Sequence, residues 1–150
     1  MKRLLVLALM YCLIFLTAGC DTKVTKAEMD TADYGPRPVN YQAEIKSYLS
    51  LRLIDPKDAI VEFRAGPTQI YNRGTPVRGE QYGWGVCVWV NDKNRTGAYD
   101  GFYPMSFVLR NEKIVAVNGG PDDANIIGSR YAREQCERLG APFKAPPKAS

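Results

Sequence analysis

The sequence predicts an α+β fold, with an N-terminal helix, an antiparallel sheet of four to five strands and a C-terminal helix. Three observations carry this expectation. Tyr41, Ile45, Tyr48, Leu49 and Leu53 recur at helical spacing. Residues 83–91 and 102–110 alternate apolar side chains with a period of two. Ala132, Cys136 and Leu139 then return to helical spacing ahead of Gly140.

The elements follow in chain order. Asn40 is a favourable helix cap, so the first helix is placed at 41–53, and Asp55-Pro56 stops it because proline disfavours a helical residue before it. Residues 59–64 read as a strand with Ala59, Val61 and Phe63 on one face. Gly66-Pro67 reads as a turn into a short strand at 68–71, and 72–76 as loop. In 83–91, Trp84, Val86, Val88 and Val90 line one face and Cys87 and Trp89 the other, the mark of a central strand covered on both sides. Residues 92–100 are a polar loop. Tyr103, Met105, Phe107 and Leu109 alternate in the next strand, and Asn111-Glu112 reads as a tight turn into 113–117. The last helix begins near Asp123 or Ser129 and ends at Leu139, with Cys136 aimed inward.

Outside these elements, residues 21–39 are polar and lack periodicity, and they read as a flexible tether reaching some tens of ångströms. Residues 141–150, ending in Ala145-Pro146-Pro147-Lys148-Ala149-Ser150, read as a tail. The chain therefore divides into 1–19, a tether at 20–39, a domain at 40–140 and a tail at 141–150.

The first segment has its own logic. Lys2 and Arg3 precede an apolar run from Leu4 to Leu16, and Thr17-Ala18-Gly19 leads to Cys20. Charge, apolar stretch and small cleavage site make a secretory signal, and the run is shorter than the ~20 residues that span a bilayer. Leu16-Thr17-Ala18-Gly19-Cys20 resembles the lipobox of bacterial lipoproteins. The resemblance implies cleavage before Cys20, diacylglycerylation of its thiol and acylation of the new N-terminus. Several acyl chains matter, because one alone holds a protein only marginally to a membrane. Thr17 stands where Leu is commoner in that family. Asp21 resembles the enteric signal for retention in the inner membrane, while the choice between inner and outer membrane, and between periplasm and cell surface, stays open.

Composition then limits the chemistry. Removing residues 1–19 from 150 leaves 131, enough for one domain with a core. With Lys2 and Arg3 gone, 18 basic side chains face 16 acidic ones, and no basic stripe appears, so nucleic acid is not an expected partner. Cys87 and Cys136 are then the remaining thiols in an oxidising compartment, and pairing is expected; the alternative is two buried thiols that never meet. The sequence contains no His, which excludes Ser-His-Asp and Cys-His catalysis and His-based zinc sites. No phosphate-binding loop, dinucleotide fingerprint or nucleophile elbow occurs. No cofactor, metal or catalytic residue is expected.

Three constellations remain. In the loop, Asp92, Asn94, Thr96, Gly97 and Asp100 fall at calcium-loop positions, but Tyr103 stands where the bidentate Glu belongs, so an ordinary strand-to-strand loop is the preferred reading. Glu62, Asp92 and Asp100 are carboxylates with nothing to fix a catalytic spacing. Tyr82, Trp84, Trp89, Tyr99, Phe102 and Tyr103 make an aromatic-rich centre whose ordinary role is sheet packing. Tyr99, Trp84 and Trp89 are the candidate binding residues, with Tyr99 the best candidate for an exposed anchor.

The stretch from Tyr82 to Val88, with Asn91, Lys93-Asn94 and Gly97-Ala98-Tyr99-Asp100-Gly101-Phe102, resembles a group of small proteobacterial envelope proteins. Residues 41–63 fit the same picture. The resemblance implies an architecture and no activity. The expected role is a non-catalytic envelope lipoprotein, held to the membrane by its lipid and binding or stabilising an envelope protein. The alternative is a module that binds cell-wall glycan or acts on it as enzyme or inhibitor.

Overall fold

The structure, a computed structural model, describes residues 23–74, 78–120 and 126–144. The expected secretory signal at 1–19, the expected lipidation site Cys20 and residues 145–150 lie outside them. The elements run α1 (Lys26–Thr31), α2 (Tyr41–Ser50), β1 (Ile60–Asn72), β2 (Gln81–Asn91), β3 (Tyr103–Arg110), β4 (Lys113–Asn118) and α3 (Ile126–Arg138). The four strands form one antiparallel meander in the order β1-β2-β3-β4, with helices packed on it, an α+β arrangement.

The two faces of the sheet are covered differently. On one, Ile45, Leu49 and Leu53 from α2 and the residues just after it meet Val86, Val88, Val90, Met105, Phe107 and Leu109. Ala59, Val61, Phe63 and Tyr103 border this core as the alternation requires. On the other, α3 sits over Cys87, Ser106 and Asn118, which are cross-strand partners of one another. Cys136 of α3 is bonded to Cys87, with Cα atoms 5.1 Å apart. Strand β2 is thus the covered central strand that its two-sided apolar pattern predicts.

Turn chemistry explains most boundaries. Asn111 and Glu112 both have positive φ, 52° and 61°, as a two-residue hairpin turn needs. Glu is a poor choice there, and its carboxylate supplies the compensation: it accepts from the backbone N–H groups of Val39 and Asn40. Asn40 itself makes no side-chain cap on α2; Glu112 instead fixes the entry to the helix, from a distant hairpin, through the N–H groups of Val39 and Asn40. At the other end of the chain, the Gly140 N–H bonds to the Glu137 carbonyl and the Ala141 N–H to the Cys136 carbonyl, the paired bonds of a Schellman stop.

Three expectations are corrected. Gly66-Pro67 is not a turn: β1 runs unbroken through it, and the pairing with β2 shifts register twice, between Phe63 and Ala65 and between Ala65 and Thr68. A bulge absorbs extra residues while pairing resumes beyond, so two expected strands are one and the sheet has four. A Cβ on Gly66 would sit 2.3 Å from the Gly85 carbonyl oxygen, so only glycine allows β1 and β2 this approach. Second, the tether expected at 20–39 is folded where it is described. Thr25 and Glu28 form a reciprocal capping box that starts α1, Glu28 pairs with Arg73 at 2.5 Å, Pro38 is buried, and the Trp84 indole donates to the Gly35 carbonyl. Third, the tail expected from 141 begins later: Ala141 is buried and the Phe143 ring meets the Trp89 ring edge-on at 5.2 Å.

Candidate functional site

The loop that follows β2 and the segment that precedes β1 meet at one end of the sheet, and sequence spacing explains why the loop is firm. Asn94 organises it. Its side-chain oxygen accepts from the Thr96 N–H, the Thr96 hydroxyl and the Ala98 N–H, while its amide nitrogen donates to both oxygens of Asp100 at 2.9 and 3.0 Å. Short polar side chains that bond their own backbone make such turns without a metal. The residues read as calcium ligands are engaged within the protein: Asp100 by Asn94, and the buried Asp92 by the Tyr103 hydroxyl at 3.0 Å. Glu62 pairs with Arg64, so the three carboxylates considered together from the sequence have three separate partners. Among the described residues, no group of three or more His, Cys, Asp or Glu is placed to hold a metal ion.

Lys93 ties the loop to the segment before β1. Its ammonium pairs with Asp58 and, at 3.3 Å, with Asp55. The Asp58 carboxylate is the main cause of a Lys93 pKa above the usual lysine range, with Asp55 adding to it and partial desolvation opposing both. Tyr99 completes the connection, donating its hydroxyl to the Asp58 carbonyl at 2.8 Å. The residue nevertheless stays 46% exposed, with the Lys93 ammonium 5.8 Å from its ring centroid. Ile54 and Ile60, which flank the two aspartates in sequence, are exposed as well. A cleft of about 360 Å³ lies beside them, lined by Ile54, Asp92, Lys93, Arg95, Tyr103 and Ser129 among others.

The three candidate aromatics thus part company. Trp84 is half-buried, with its indole N–H committed to Gly35. Trp89 is half-buried between Phe143 and Arg64, whose guanidinium carbon lies 4.0 Å from its ring centroid. Tyr99 alone of the three is exposed. The sequence reading missed Ile54, Ile60 and the Lys93 ion pairs. Asp55 and Asp58 were visible as charges near Pro56, but their partner is 35 or more residues away, and no local pattern connects them.

No protein-family model, no curated protein and no solved structure matches this chain.

Proposed function

We propose that this chain is a non-catalytic envelope lipoprotein, anchored through acyl chains on Cys20, that docks an envelope protein through the end of the sheet carrying Tyr99. The observation that carries the reading is an exposed aromatic ring whose hydroxyl is fixed to the backbone of a neighbouring segment, with Ile54 and Ile60 exposed around the same segment. A pinned tyrosine offers apolar area at little further entropic cost, which is what an interface anchor needs. The Cys87–Cys136 bond accords with an oxidising compartment.

The folded N-terminal segment sharpens the picture. Positions 20 to 25 are the only span between the lipidated residue and the capping box of α1, a reach of at most about 18 Å. The domain on this reading stands close to the bilayer. The anchor enters beside α1, which pairs with Arg73 just past the end of β1, and Tyr99 lies beyond the opposite end of the β1–β2 pair. The docking end is thereby directed away from the lipid.

Photo-crosslinking in intact cells tests this. A photoreactive residue at position 99 is expected to trap a discrete envelope protein, and one at Arg130, on the exposed side of α3, is not. Equal trapping from both positions, or none from either, would count against the docking end. An unmodified thiol at Cys20 in the mass spectrum of the native protein would remove the anchor.

A further inference from the structure

A second cavity, of about 300 Å³, lies between α2 and the last residues of β4, sharing Gly120 with the cleft beside Lys93. Tyr48, Leu49, Met105 and Val117 give it apolar walls, and Arg52 and Arg78 give it two guanidinium groups. Arg78 is brought there because the β1–β2 hairpin end curls over: Gln81 reaches Asn118, and the Arg78 guanidinium carbon lies 3.9 Å from the Tyr131 ring centroid on α3. Arg52 rests on Tyr48 in the same way, at 4.9 Å.

These contacts hold the arginines without using their donors. A ring attracts a cation through its π electrons, while the N–H groups around the guanidinium still need oxygen acceptors. Neither Arg52 nor Arg78 forms an ion pair among the described residues. More specifically, Arg78 Nη1 is buried and has no acceptor among the described residues. A buried donor on a charged group is costly to leave without one, so a placement that persists in a cavity points to an acceptor supplied from outside.

We propose that this cavity binds a small organic carboxylate, with its oxygens on Arg78 and Arg52 and its apolar body against Leu49, Met105 and Val117. A guanidinium presents a planar fork that matches a carboxylate. The volume is roughly twice that of an apolar cavity of ~150 Å³ that accepts a benzene, so it suits one ring or a branched chain with an acid attached.

Isothermal titration of the full chain in detergent, with phenylacetate as the probe and empty micelles as the blank, tests the assignment. Saturable binding at one site is expected. Phenylacetamide keeps the ring and loses the charge, and it should bind on the order of tenfold more weakly. Arg78→Gln should cost phenylacetate a similar factor, and Arg78→Lys less, because it keeps the charge and loses the fork. Were Arg78→Gln not to fold, the comparison of the two probes on the unaltered chain still decides. No saturable heat up to about 10 mM phenylacetate, equal binding of acid and amide, or displacement of phenylacetate by an equal concentration of inorganic phosphate overturns the proposal.

Discussion

The two faces of one sheet are fastened by different physics. Under α2 the contact is apolar: Ile45, Val86, Val88, Val90, Phe107 and Leu109 have no exposed surface. Under α3 the apolar cluster is small, formed by Cys87, Cys136 and Ala141 with Ala65, Trp89 and Leu139 at its border. Beside it lie buried polar groups. The Asn118 amide donates to the Ser106 hydroxyl, and Arg138 donates to Asn72. Gln135, only 2% exposed, has both amide atoms without a partner among the described residues. The difference teaches that a helix can be held over a poorly apolar surface when a covalent bond limits how far it can leave. Burial holds α2 in any redox state. The hold on α3 depends on the sulfur–sulfur bond.

The largest effect is expected on the apolar face. Phe107→Ala removes a fully buried ring that packs edge-on against Tyr48 at 5.7 Å. The lost burial and the cavity left behind should cost about 3–5 kcal/mol in chemical denaturation. Next comes the bond on the other face. Cys87 and Cys136 are 49 residues apart, and opening such a loop costs about 4 kcal/mol in the chain-entropy account. Replacing both with Ala should lower stability by that amount. The informative readout is hydrogen exchange: amides of 132–138 should lose protection well before those of 45–49. Equal loss on both helices would break the comparison, since it would mean that the two faces unfold as one unit.

A smaller effect should have the opposite sign. Gln135→Met keeps the length of the side chain and removes an amide that is buried without partners. Stability should rise by about 1 kcal/mol, because the desolvation cost of the amide disappears while its volume is retained. The comparable change on the apolar face, Ile45→Gln, should destabilise, since it places an amide at a fully buried position within an apolar cluster. A fall in stability for Gln135→Met, measured by the same denaturation, would show that the polar character under α3 contributes to holding the helix.

Much of the apolar face was legible from periodicity alone. Val86, Val88 and Val90, and then Met105, Phe107 and Leu109, point where alternation sends them, and helical spacing at Ile45 and Leu49 supplies the cover. The Cys87–Cys136 pairing was legible as arithmetic, and Gly140 as a stop. What stayed hidden depends on long-range partners. Helix α1 has six residues, none buried, so its periodicity carries no signal. Its capping box, Thr25 to Glu28, was on display, but what secures it is Arg73, 45 residues on. Gly66-Pro67 reads locally as a turn, and only the continued pairing of β1 with β2 reveals a bulge. At the Tyr99 end, loop chemistry predicted an ordered turn and an exposed ring. The lysine bridge that ties this loop to residues 55–58 is not a local property.

The smallest expected effect concerns the N-terminal segment that carries α1, and it is read as pH dependence. The Glu28 carboxyl is held well below its ordinary value, from 4.5 to about 2. The backbone N–H of Thr25 is the largest cause, followed by the hydrogen bond from Arg73 and that from the Thr25 hydroxyl. A carboxyl with a depressed folded-state pKa adds stability that is present in full above its unfolded value and is lost as pH falls through the folded one. The docking of α1 should therefore be constant from neutral pH down to about 4.5 and should weaken between there and about 2. Amide exchange of residues 26–31 against pH is the measurement. In Glu28→Gln the acid-linked change should vanish, because the substituted side chain does not titrate, and α1 should already exchange faster at neutral pH. Because α1 buries none of its residues, the apolar core under α2 should show no matching step. A coincident transition in the core amides would mean that α1 is part of the cooperative unit rather than an appendage fastened by one ion pair.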